Sequence, residues 1–261
     1  INFSLSSNKL LELVGEHQMI SLCERNEGYL AKVGEPLIQF YGYKTCGVWN
    51  SAEEIAANPH FSDDAPGGIR IVDTNNDGSL TPEDRVALGT PYPDFTWGIT
   101  NTFQIKDFDI SFLIQGVQGI TVLNGDVYYN ETKKWNKKYT KNRWVSAEHP
   151  GDGKTPYQNV KTGHDLMLTD YPLQNASYAC LRNFTVGYTL PATAARKIKL
   201  SGVRFYVSGS NLFYIWGSGY KGINPESRMT SGDYSSAMIS GYKRGGFQLT
   251  SNISAGFDIN F

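Results

Sequence analysis

Alternation constrains this chain more than any other feature: in five stretches, apolar and polar residues take turns with a period of two. That rhythm suits a β-strand with two unlike faces and not a helix, whose period is about 3.6. From Phe95 the odd positions read Phe95, Trp97, Ile99, Asn101, Phe103 and Ile105, with Thr96, Gly98, Thr100, Thr102 and Gln104 between them. Phe108, Ile110, Phe112 and Ile114 then oppose Asp109, Ser111, Leu113 and Gln115. Phe184, Val186, Tyr188 and Leu190 oppose Asn183, Thr185, Gly187 and Thr189, and Val203, Phe205 and Val207 oppose Arg204, Tyr206 and Ser208. The last stretch sets Phe247, Leu249, Ile253, Ala255, Phe257, Ile259 and Phe261 against Gln248, Thr250, Asn252, Ser254, Gly256, Asp258 and Asn260. Asn101, Leu113 and Ser251 break the pattern without erasing it. Ile1–Leu5 alternates too, as a chain entering in mid-strand would, with any export signal upstream.

A soluble β-sandwich also alternates, so the period alone leaves two architectures open. Several stretches have the roughly 9–11 residues that a tilted strand needs to cross a bilayer. Their polar faces carry Thr, Ser, Asn, Gln and Gly rather than the Lys and Glu of a solvent-washed sheet. Phe95, Trp97, Phe247, Phe257 and Phe261 crowd the ends, as an interfacial aromatic girdle does. Connection lengths alternate as well: Lys106-Asp107 is short, Gln118 to Leu181 long, Pro191 to Gly202 short, and Tyr214 to Phe247 long. The expectation is an all-β fold, a transmembrane antiparallel up-and-down β-barrel with short periplasmic turns and long extracellular loops. Residues 9–94 form one such loop region. An unclosed set of strands would leave backbone groups unpaired in lipid, so the chain must pair with remaining barrel strands of the same protein or with a partner.

Composition agrees. Glycine (27), tyrosine (16) and phenylalanine (13) are abundant and charged residues make up only 19%, which favours strands over helices. A net charge of -1 gives no support to polyanion binding. No run approaches the ~18 apolar residues of a membrane helix. Cys23, Cys46 and Cys180 lack CxxC spacing and build neither a zinc site nor a disulfide framework, although a Cys23–Cys46 bond is conceivable in an oxidising compartment.

Ser254-Ala255-Gly256-Phe257-Asp258-Ile259-Asn260-Phe261 resembles the C-terminal assembly signal of outer-membrane proteins, with Gly256, Ile259 and Phe261 at its marked positions. Longer stretches carry a more specific resemblance. They include Val33-Gly34-Glu35-Pro36-Leu37 with Phe40-Tyr41-Gly42-Tyr43-Lys44, Gly68-Ile69-Arg70 with Asp73-Thr74-Asn75-Asn76-Asp77-Gly78, and Gly89-Thr90-Pro91-Tyr92-Pro93-Asp94-Phe95. Asn142-Arg143-Trp144, Glu148-His149-Pro150, Ala176-Ser177-Tyr178 and Leu181-Arg182-Asn183-Phe184-Thr185-Val186-Gly187-Tyr188-Thr189-Leu190-Pro191 follow in order. Val207-Ser208-Gly209-Ser210-Asn211-Leu212-Phe213 and Gly219-Tyr220 complete the set. On these residues the chain resembles the SusC/RagA family of TonB-dependent outer-membrane transporters. The resemblance implies a 22-stranded barrel, of which 1–261 supplies roughly the last six strands. It also implies an N-terminal plug and a TonB-contacting segment outside this chain, a SusD-like surface lipoprotein as lid, and import of an oligosaccharide or, as runner-up, a peptide.

Asp73, Asn75, Asp77, Ser79 and Asp84 fall at positions one, three, five, seven and twelve of an EF-hand-like loop, with Gly78 at the sharp turn. Hard oxygen donors at that spacing suit Ca²⁺, which would stiffen the loop; the plain alternative is an ion-free Asx-rich turn. The basic, aromatic run from Thr132 to Trp144 reads as a solvated outer loop and not as a nucleic-acid site. Gly217-Ser218-Gly219-Tyr220-Lys221-Gly222 spells GxGxxG, but Pro225 follows where a helix must open, so it reads as a turn. Tyr214, Trp216 and Tyr220 beside it are candidates for stacking on sugar rings. No HExxH, GxSxG or carboxylate pair points to an enzyme. The rival from another class is a soluble, calcium-binding β-rich module that binds glycans.

Overall fold

The computed structural model describes residues 1–23, 26–126, 141–157, 166–217 and 219–261. In chain order the strands are β1 (Asn2–Leu5), β2 (Gln18–Leu22), β3 (Gly28–Lys32), β4 (Gln39–Gly42), β5 (Thr45–Val48), β6 (Ile69–Ile71) and β7 (Val86–Gly89). They continue with β8 (Phe95–Ile105), β9 (Phe108–Gln118), β10 (Thr121–Asn124), β11 (Leu173–Asn175), β12 (Tyr178–Thr189), β13 (Gly202–Trp216), β14 (Tyr242–Lys243) and β15 (Asn252–Asn260). Helices are short: α1 (Ala52–Ala56) is capped by Ser51, and α2 (Ala192–Lys197) follows Pro191 inside a short connection.

The main body is a six-stranded sheet in the order β1-β8-β9-β12-β13-β15, antiparallel throughout. Apart from the inserted loop strands, neighbours in space are neighbours along the chain, as the sequence predicts for an up-and-down wall. Pairing places one face in register: Phe3 opposite Trp97, Phe103 opposite Ile110, Phe112 opposite Phe184, Val186 opposite Val207, and Phe205 opposite Phe257. Apart from Asn101 and Leu113, the two sides of the strands therefore keep their character across the sheet. Among the described residues little lies over the apolar face, apart from its short-turn end where Val203 is buried. Phe257 is 65% exposed and Ile253 76%.

Two strands are longer than the alternation suggests. β12 starts at Tyr178 and β13 runs on to Trp216, where the sequence places loops. Pairing slips between Leu181 and Asn183 against both neighbours, and Asn211 adopts φ 54. An extra residue at a bulge flips the parity of everything beyond it, so the period-two signal ends there while the strand does not. At the other end of the third long link, β15 begins at Asn252, beyond the break at Ser251.

The long links interlock at one end of this wall. The first builds a four-stranded sheet, β2-β3-β4-β7, and the pair β5-β6; the second and third share a three-stranded sheet, β11-β10-β14. One core joins all three links, with Tyr29, Ile38 and Phe40 against Leu123 and Met167 and against Tyr234 and Tyr242. Another gathers Tyr43, Val48, Ile69, Ile71 and Leu168. Trp49 is wholly buried, its indole N–H donating to Asp64 at 3.2 Å with the Arg70 guanidinium 4.8 Å above the ring. No helix among the described residues is long and apolar enough to cross a membrane.

Candidate functional site

Opposite the apolar face lies a polar one, built from the intervening residues. Ser208 and Ser254 hydroxyls meet at 2.8 Å. Toward the short-turn end, Arg204 forks onto Asp109 (2.7 and 3.0 Å) and reaches Asp258 at 3.4 Å. This bridge spans β12 because the residue beneath it is Gly187; a Cβ there would sit on the Asp109 carboxylate and the Arg204 guanidinium. Gly256 makes room in the same way for the Tyr206 ring. Of the residues marked as an assembly signal, Gly256 thus lies on the polar face, Ile259 shares the apolar face with Val203, and Phe261 stands fully exposed beyond β15.

The three aromatic candidates separate. Tyr214 sits on the polar face near the loop end of β13, with its ring centroid 6.1 Å from that of Tyr178 and its hydroxyl accepting from Arg182 at 2.9 Å. Trp216 ends β13 and is 41% exposed. Tyr220 is buried, packed with Val122 and Ala176, and its hydroxyl donates to the Asn224 carbonyl at 2.6 Å. The Trp216 and Tyr220 rings meet edge-on at 6.2 Å. Beside them, burial holds the Lys243 ammonium down at about 8. Trp216 alone of the three offers a broad open ring.

The EF-hand-like loop is closed by its own hydrogen bonds. Asp73 accepts from the N–H of Asn76 (2.7 Å) and of Gly78 (2.9 Å), Asn75 from Asp77 (2.9 Å), and Asp77 from Ser79 (2.8 Å). Asn76 (φ 59) and Gly78 (φ 85) supply the left-handed turns that aim these groups. Asp84 reaches back to accept from the N–H of Thr74 (2.8 Å) and from that of Thr81 (2.8 Å), forming a capping box with Thr81. Burial works against its charge, but the N–H groups of Thr81, Thr74 and Asn75 outweigh burial and hold the carboxyl below its ordinary range. Among the described residues no three His, Cys, Asp or Glu side chains cluster closely enough to hold a metal. The carboxylates of this loop are engaged by backbone N–H groups.

Thr132 to Thr140 of the basic run lie outside the described residues; Trp144, at its end, donates to Asn50 at 3.1 Å. Cys23, Cys46 and Cys180 are free thiols, with Cys23 buried and Cys46 exposed. Sequence reasoning passed over Arg182, Asn211 and Glu226, which meet on the polar face beside Tyr214. The available signal was a charged residue inside an otherwise uncharged strand, Arg182 between Leu181 and Asn183.

No family model matches the chain. Two TonB-dependent receptors of Formosa agariphila are similar, at 29% identity over 239 residues and 30% over 238, covering 88% and 87% of this chain and 23% of each relative. The TonB-dependent receptor SusC of Bacteroides thetaiotaomicron is 28% identical over 157 residues, 60% of this chain and 15% of its own length. Among solved structures, the RagAB peptide transporter superposes with a TM-score of 0.73 at 18% identity, and the RagAB peptide importer in its closed-closed state with 0.70 at 18%. Each superposition covers 99% of this chain and 26% of that one. The chain spans about a quarter of the length of these proteins.

Proposed function

We propose, from the premise that this chain is a SusC/RagA-like part of a TonB-dependent receptor, that it forms part of the wall and mouth of an outer-membrane importer of nutrient oligomers. The carrying observation is the six-stranded meander with one predominantly apolar face left largely exposed and a hydroxyl- and amide-rich face opposite. Hydrocarbon supplies for that apolar face what no protein layer here supplies, and water in a lumen suits the other. The interlocked links then stand at the extracellular mouth, with the short turns and C-terminus periplasmic. Cargo is held between this mouth and a SusD-like lipoprotein, and release is driven by TonB acting outside this segment. The role is transport, not catalysis.

Oligosaccharide is the favoured cargo, because Trp216 at the mouth offers a flat, open ring to sugar CH faces. Peptide is the second reading, favoured by the likeness to RagAB, itself described as a peptide importer. In the loop 73–84, Asp73, Asn75, Asp77, the Ser79 carbonyl and Asp84 would hold Ca²⁺ as a stiffener. Chelation should then speed proteolysis near residue 80, and unchanged proteolysis removes calcium from the account.

The test of function is growth of a strain lacking the full-length receptor, supplied with oligosaccharides, their monosaccharides, or peptides. Loss of growth on an oligosaccharide alone is the expected result. Loss on peptides alone moves the assignment to the second reading, and loss on neither removes the import role.

A further inference from the structure

Among the described residues, the long link after β13 is fastened to the wall beside the β12 and β13 bulges. The bulges of β12 and β13 coincide there, and bulges re-aim side chains. They turn the Arg182 guanidinium onto the polar face. With the Gln115 amide oxygen directed at it, Gln115 accepts from Nη2 (2.6 Å) and Nε (3.1 Å). Nη1 donates to Asn211 Oδ1 (2.8 Å) and to the Tyr214 hydroxyl (2.9 Å), while Nη2 pairs with Glu226 Oε1.

Glu226 belongs to the link, and the link is braced behind it. The Glu226 N–H donates to Asn224 Oδ1 (2.8 Å), whose amide nitrogen donates to the Phe247 carbonyl (3.2 Å). The Asn224 carbonyl accepts from Tyr220 and from Lys243, each at 2.6 Å. The returning end of the link is tied to the same bulge, Ser251 Oγ donating to the Asn211 carbonyl at 2.7 Å.

We propose that Arg182 is a positioning residue that, through Glu226, latches residues 219–251 to the polar wall as a fixed rim of the mouth. The rim holds Tyr214 and Trp216 in place and does not swing as a flap. Four protein acceptors on β9, β13 and the link surround the guanidinium, so it serves to position these elements and not to contact cargo. Arginine suits this role because a planar fork fixes direction as well as charge. The proposal rests on the reading that this link faces the outside of the cell.

The test uses the full-length receptor, with its partner, in the outer membrane of intact cells exposed to trypsin. Lys221, Arg228, Lys243 and Arg244 supply cleavage sites within the link. Arg182→Met and Glu226→Gln should each speed cleavage there roughly tenfold, since charged hydrogen bonds that restrain local opening are lost. The amount of folded, heat-modifiable barrel should stay unchanged. The double variant should be cut no faster than Arg182→Met, because both residues act through one contact. Glu226→Gln, nearly isosteric, keeps the test decisive where Arg182→Met disturbs assembly. Unaltered cleavage in both single variants, multiplied effects in the double, or loss of folded barrel in both singles overturns the latch. Cleavage that requires an opened outer membrane overturns the outward-facing reading, and the rim with it.

Discussion

The six-stranded wall and the interlocked links obey opposite burial rules within one chain. In the wall, Phe205, Phe257 and Ile253 turn outward and stay exposed; in the links, Trp49, Tyr29 and Phe40 are sealed in side-chain cores. Burying a large apolar side chain is worth about 1.5–3 kcal/mol. The wall collects that only from an apolar medium laid against its face, whereas the links collect it from one another. The difference teaches that alternation and clustering are two answers to one problem, set by what lies next to each surface.

The comparison can be broken in the links first. Trp49→Ala should cost about 3–5 kcal/mol of loop-body stability by leaving a cavity. Hydrogen exchange should then rise in the first long link while heat-modifiable barrel persists; a barrel that fails equally would show that wall and links fold as one unit. In the wall, Phe112→Arg should impair assembly by about 2–4 kcal/mol when scored as folded barrel in liposomes, because a charge near the bilayer midplane is costly. Ser111→Arg, one residue along on the polar face, should be milder, and equal losses would end the two-face assignment.

A smaller effect sharpens the contrast further. Asp84→Asn should cost the loop roughly 1–2 kcal/mol, since it weakens acceptance from three backbone N–H groups. Because the folded carboxyl lies below its ordinary range, its contribution is complete above the usual carboxylate pKa and fades as pH falls through the depressed value. Proteolysis near residue 80 should therefore accelerate on acidification in the native protein and respond less in the variant. The wall, scored as folded barrel, should not follow that trend.

Much of the wall was legible because its signal is local. Phe108 to Gln115 alternates residue by residue, and the two-residue turn at Lys106-Asp107 pairs it with the strand before. The same logic failed at Arg182 and Asn211, where two bulges shift the register and make continuing strands look like loops. The candidate loop at 73–84 was visible from spacing, as was Asp84 at its end; that its carboxylates are taken up by N–H groups was not. Tyr220 was singled out for its aromatic ring, yet burial depends on Val122 and Ala176, far away in sequence.

By itself, then, the sequence determined the antiparallel meander, the apolar and polar sides of each strand, and the order of short and long connections, because each depends on neighbours one or two residues apart. Only the tertiary structure decided where the bulges fall, which links share a core, and that Arg182 meets Glu226. Those contacts join segments dozens of residues apart, and no period in the chain encodes which distant side chain will arrive opposite another.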